Sequence, residues 1–155
     1  MRTIQRTIVS AIIFSKDGKI LMGKKDPSKG GVFPNALHIP GGGIKEGETM
    51  EQTLIREIKE EVGLDVTNYP KVRIPIIGKG ASEKTLEGTG EKVWCEMEFN
   101  RFEVHIDDQN ANDIKLHLSD DLVEAKWFNK EALSKVEQIP GGKEFFEEMG
   151  YMQKK

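Results

Sequence analysis

The sequence predicts a layered α/β domain. Three observations lead there. Apolar residues make up 37% of the 155 positions, enough to fill one substantial core. Runs rich in β-branched and aromatic residues, at 7–15 and 92–106, have strand character. Between them, residues 49–62 carry an apolar repeat of helical period. Strands and helices mixed at this length fit a layered architecture, and residues 1–155 are expected to form a single domain. No internal repeat or low-complexity tract interrupts it.

The elements follow in order. Residues 7–15 and 19–25 read as two arms of a hairpin about a tight Asp17-Gly18 turn. Residues 26–31 are loop by composition. A short extended piece at 36–39 runs into Pro40-Gly41-Gly42-Gly43, where the backbone must turn sharply or approach something closely. Thr49 and Gln52 have capping-box spacing; Leu54, Ile55, Ile58 and Val62 form one apolar stripe, and Gly63 is a natural stop. Val66 and residues 72–77 look like strand. Residues 78–90 hold four glycines and few large apolar side chains, so they read as a mobile loop. A long strand at 92–106 and a polar loop at 107–113 come next. Short strands at 116–118 and 123–128 flank Ser119-Asp120-Asp121, and helices are expected at 130–136 and 143–149.

Charge and cysteine content narrow the function classes. Lys and Arg total 23, Asp and Glu 26, for a formal charge of −3. Duplex nucleic acid is therefore not the expected partner, because phosphate binding leaves a basic footprint. The balance is also too even for an acidic disordered tail. A lone Cys95 cannot close an internal disulfide, which fits a reducing, cytoplasmic setting. No apolar run approaches the roughly 18–20 residues that span a bilayer, so no membrane partner is expected. Arg2 and Arg6 precede an apolar stretch, as in a targeting signal. No small-residue cleavage site follows and Asp17-Gly18 comes next, so the hairpin is the better reading and the mature chain is expected to start near Met1.

The informative chemistry lies in the first helix. Glu57, Glu60 and Glu61 stand at i, i+3 and i+4, so their carboxylates share one face beside the apolar stripe. Like charges at these spacings cost roughly 0.2–0.5 kcal/mol per pair. Glu60 and Glu61 also sit near the helix C-terminus, where the macrodipole disfavours anions. A hard divalent cation would offset both terms, and an oxygen-only donor set suits Mg²⁺ or Mn²⁺ better than Zn²⁺. The bland alternative is a solvated acidic face on a surface helix.

The residues around the cluster carry a resemblance. Gly42, then Glu48, then Arg56-Glu57-Ile58-Lys59-Glu60-Glu61-Val62-Gly63-Leu64 resembles the Nudix box at every specified position across residues 42–64. At ordinary residue frequencies such a match arises by chance on the order of once in 10⁸ starts. The resemblance implies an α/β/α sandwich with a mixed sheet, in which the box forms a loop–helix–loop catalytic motif. It implies that Glu57, Glu60 and Glu61, with a backbone carbonyl at Gly41 or Gly42, hold Mg²⁺ (or Mn²⁺). Glu48 and Arg56 would form a pair that orients the ligating carboxylates. The implied reaction is hydrolysis of a nucleoside diphosphate linked to another moiety, by attack of metal-activated water on phosphorus. The general base would be a box glutamate or an acid from a later loop, for which Asp121 is the choice, with Asp120 and Glu124 behind it.

Other residues carry weaker signals. Lys24 and Lys25 lie where several members of the family place a basic phosphate contact, and Phe33 is the aromatic chosen for the substrate. His38, Trp94 and Trp127 also have the surface to stack on a base, although aromatics at strand positions usually serve the core. His105 and His117 are given no role, and Cys95 reads as a small apolar core residue. No subfamily signature fixes the substrate. A (d)NTP pyrophosphohydrolase is the first expectation, with an ADP-ribose or nucleotide-sugar pyrophosphatase second. A non-catalytic nucleotide sensor or interaction module is the alternative of another class, though all the acidic box positions are kept. Homodimerisation stays open.

Overall fold

The computed structural model describes residues 1–25, 36–119, 122–136, 138 and 142–152. Its spine is β1 (Arg2–Phe14), whose β-branched run pairs in parallel with β6 (Lys92–His105), from Arg2↔Val93 through Phe14↔His105. On the far side of β6 lie β4 (Lys71–Arg73) and β5 (Gly78–Thr85), both antiparallel to it. Strand β2 (Ile20–Lys25) pairs antiparallel with β7 (Leu122–Phe128), and the short β3 (Gly41–Gly43) lies antiparallel along β1. The described strands form one seven-stranded mixed sheet in the order β4-β6-β1-β2-β7, with β3 on β1 and β5 on β6.

Alternation along β1 builds the layers. Val9, Ala11 and Ile13 point to the face covered by α1 (Met50–Val62) and are buried against Leu54, Ile58 and Val62. Ile12 points the other way, into a cluster with Met22, Leu133, Phe145 and Phe146, the last three from α2 (Lys130–Leu133) and α3 (Gly142–Glu148). Helices thus cover both faces of the sheet in an α/β/α sandwich. Complete burial of Leu54, Ile58 and Val62 contributes roughly 1.5–3 kcal/mol each.

The start of α1 is fixed as the sequence foretells. Thr49 accepts from the Gln52 N–H while the Gln52 side chain accepts from the Thr49 N–H, and Gly63 closes the helix at φ 76°. Other expectations change: Val66 lies outside any strand, and the helix expected at 130–136 closes at Leu133. The hairpin arms share only the pair Phe14↔Ile20, because the chain around His38 and Pro40 wedges between them. Gly23 and His38 exchange two backbone hydrogen bonds, and Ala11 N–H donates to Pro40 O. Residues 78–85 form strand β5 rather than a loop, since Gly78 and Gly80 are small to accommodate Arg101 and Phe99 on β6. The strand expected at 72–77 contracts to β4, Lys71–Arg73. Residues 116–118 are not a strand: His117 N–H and Ser119 N–H satisfy the terminal α1 carbonyls of Val62 and Glu61, at 2.8 and 3.0 Å. The loop expected at 26–31 lies outside the described residues.

Candidate active site

Strand β3 and helix α1 meet residue by residue. Gly41 N–H donates to Glu61 Oε2 at 3.2 Å. Gly42 lies under the Glu57 carboxylate so closely that a β-carbon would fall 2.4 Å from Glu57 Cδ. Gly43 O accepts from Arg56 Nη2 at 3.2 Å. Three consecutive backbone units therefore contact three side chains of the last two helical turns. The triple glycine exists because none of these approaches leaves room for a side chain: at Gly41 a β-carbon would strike Val9 O, and at Gly43 the Arg6 guanidinium.

Arg56 organises the acidic face. Its Nε donates to Glu48 Oε2 at 2.7 Å and its Nη2 to Glu48 Oε1 at 2.8 Å, a bidentate pair. Its Nη1 reaches Glu57 Oε1 at 2.8 Å and Glu60 Oε2 at 3.4 Å. Glu48 Oε1 also accepts from Thr53 Oγ1 at 3.0 Å and from Lys45 N–H at 2.9 Å. The Arg56 hydrogen bonds, then the Lys45 N–H, hold the Glu48 carboxyl down to about 2, and the same pairing raises the guanidinium further. Glu48 is thus a fixed anion that anchors the arginine.

Among the described residues, no three His, Cys, Asp or Glu side chains are already gathered about a common metal position. Arg56 instead lies between Glu57 and Glu60. The donor set is nonetheless that of a hard cation: carboxylate oxygens on one helix face, set against a backbone strand bare of side chains.

The other sequence candidates spread out. Lys24 faces Glu124 across the β2–β7 pair at 3.7 Å, and Lys126 holds the same carboxylate at 2.5 Å. The Lys126 hydrogen bond, with Lys24 nearby, keeps Glu124 ionised below the usual carboxylate range. Lys25 is exposed at the end of β2, beyond a bulge. Its charge, after burial itself, helps depress His38 to about 4, so that imidazole is neutral at ordinary pH. Trp127 packs against the α1 core, and Trp94 is 42% exposed on β6. Phe33, Asp120 and Asp121 lie outside the described residues. Sequence reasoning missed two participants. Thr53 is a fully buried polar residue bordering the apolar stripe, which was its available signal. Arg6 is a cation on a strand with no motif to mark it.

The sequence and the fold are similar to those of known proteins. Over 65 residues, 41% of this chain, the sequence is 48% identical to the nucleoside triphosphatase NudI of Enterobacter sp. (strain 638), matching 45% of that protein. Over 60 residues, 39% of this chain, it is 42% identical to the RNA pyrophosphohydrolase of Hydrogenovibrio crunogenus, matching 33% of that protein. The matches span less than half the length of these curated relatives. The E. coli dihydroneopterin triphosphate pyrophosphohydrolase has a similar fold, with TM-score 0.69 at 18% identity over 92% of each chain. The MutT protein of Methanosarcina mazei Go1 does too, with TM-score 0.64 at 21% identity over 100% of this chain and 99% of that one. The NUDIX domain model matches residues 4–149, and the chain belongs to that family.

Proposed function

We propose that residues 1–155 form one Nudix hydrolase domain that cleaves a phosphoric anhydride bond of a (d)NTP with Mg²⁺ as cofactor, releasing pyrophosphate. One observation carries this reading: the β3–α1 contact sets Glu57 and Glu61 against the glycine backbone while Glu48 fixes Arg56 between Glu57 and Glu60. Glu57, Glu60, Glu61 and the Gly42 carbonyl would hold the cation. When bound, it offsets the charge of the polyphosphate and lowers the pKa of the attacking water.

The chain's own residues supply the rest. Glu48 keeps Arg56 in place, and Arg56 keeps the ligating carboxylates from repelling one another. Lys24 and Lys25 at the end of β2, and Phe33 beyond it, are the proposed substrate contacts. Asp121 is the proposed general base. Ser119 N–H is tied to Glu61 O; Asp120 and Asp121 are the next two residues in the sequence. The triphosphatase name of a 48%-identical relative favours a triphosphate over ADP-ribose or a nucleotide sugar as substrate. Among the described residues no helix is long and apolar enough to cross a membrane.

A screen of (d)NTPs, ADP-ribose and nucleotide sugars tests the proposal, with pyrophosphate and phosphate measured separately in Mg²⁺ and in EDTA. Mg²⁺-dependent pyrophosphate release from at least one (d)NTP is expected. A chain inert toward the whole panel, or equally active in EDTA, would contradict it.

A further inference from the structure

Strand β5 is an edge. It pairs with β6 over eight register positions, Gly78↔Phe99 to Thr85↔Lys92, with no register shift. Its other side meets no strand among the described residues, and Lys79, Ala81, Ser82, Glu83 and Thr85 are exposed. Long regular edges without proline invite another strand, and proteins protect them with charges. Here the charges are Lys79, Glu83 and Lys84, and their spacing is self-complementary.

We infer that β5 pairs with β5 of a second copy of this chain, antiparallel and centred on Ala81. The register follows from parity. Along a strand, backbone N–H and C=O groups point alternately to either side, so residues directly opposite across a two-fold axis have numbers of the same parity. The axis therefore passes through a residue. Centred on Ala81, each Lys79 faces the other copy's Glu83, Gly80 faces Ser82, and Ala81 faces itself. Two Lys–Glu pairs form around a centre of small residues. Centred on Ser82, Lys79 faces Thr85 and Glu83 faces Ala81, so no opposite charges meet. Centred on Gly80, Lys79 faces Ala81 and Glu83 runs off the strand. Only the Ala81 register pairs the charges, and it uses residues 78–84.

The test uses charge reversal and cross-linking on the whole chain, with circular dichroism to confirm folding. By light-scattering mass across a concentration series, the wild type approaches twice 17.5 kDa. Lys79→Glu alone and Glu83→Lys alone each stay at the single-chain mass, because every pair becomes like-charged. Their equimolar mixture returns to the doubled mass, because both pairs regain opposite signs. Independently, Ala81→Cys oxidises to a covalent dimer, since opposite Cα atoms lie roughly 4.5–5.5 Å apart, within disulfide reach. Ser82→Cys, two positions out of register with its own mate, does not. Both cysteine variants are made in a Cys95→Ser background, because Cys95 lies directly opposite Ser82 on β6 and would capture a cysteine there within the same chain. A wild type that stays at the single-chain mass, variants that still double, or Ser82→Cys cross-linking as fast as Ala81→Cys would each overturn the inference.

Discussion

An alanine at Gly42 adds one methyl carbon, which would lie 2.4 Å from Glu57 Cδ and 2.5 and 2.7 Å from its carboxylate oxygens. Comfortable contact begins near 3.5 Å, so the carboxylate must retreat by about 1 Å. It is the free end of a flexible side chain and can swing away at small cost in stability, leaving its 2.8 Å bond to Arg56. A displacement of about 1 Å in a catalytic group costs on the order of 100-fold in rate. Gly41→Ala makes the opposite demand. There the added carbon would meet Val9 O at 2.4 Å and Ser10 Cα at 2.6 Å, backbone atoms of β1 with nowhere to go. Such overpacking costs about 3 kcal/mol, or roughly 6–12 °C in Tm for a chain of this size. Initial rates of pyrophosphate release and a thermal melt separate the two. Gly42→Ala should keep its Tm within about 2 °C while kcat falls about 100-fold, whereas Gly41→Ala should lose Tm. Wild-type kcat in a folded Gly42→Ala chain would refute the placement of Glu57 in the reaction.

Glu57→Gln and Glu60→Gln each remove a charge from one face of α1; kcat should fall more than about 100-fold with the melt little changed, checked by steady-state kinetics beside calorimetry. Arg56→Lys keeps the charge but loses the bidentate fork on Glu48 and the reach to Glu57, so kcat should drop by about 10–100-fold while Glu48 stays ionised. His38 sets a pH dependence. Burial, then the Lys25 charge, depresses it from 6.5 to about 4. The folded state therefore favours the neutral ring, and this stabilisation is complete above pH 6.5 and lost as pH falls toward 4. It amounts to about 3 kcal/mol. Urea titrations at pH 7 and pH 4.5 should show a larger loss of stability for wild type than for His38→Asn.

Helix α1 was legible because its signals are local: the Thr49–Gln52 box, the 54–58–62 stripe and the Gly63 stop all act within one turn of where they are written. The acidic face was legible for the same reason. Pairing between distant strands was not. Nothing within β1 or β6 announces that they run parallel along thirteen register pairs, because that choice is made by two helical layers covering the sheet. The Asp17-Gly18 turn is local and forms as its residues dictate, yet its arms part after Phe14↔Ile20 because a distant segment bonds to both. Glycines at 78 and 80 have the character of breakers, yet the chain there is strand β5. Gly78 and Gly80 are instead clearances for Arg101 and Phe99, visible only once β6 lies beside them. Residues 116–118 misled in the converse way: their apolar alternation looks like strand, but their backbone caps α1.

The account turns on a divalent cation held by the carboxylates of α1, and a manganese titration followed by electron paramagnetic resonance addresses this directly, in the presence of a non-hydrolysable nucleoside triphosphate. The wild type should deplete the free-ion signal with a saturable site, and Glu57→Gln or Glu61→Gln should weaken that site at least about 10-fold. A folded wild-type chain that leaves the manganese signal unchanged, or glutamine variants that bind as tightly as wild type, would contradict it.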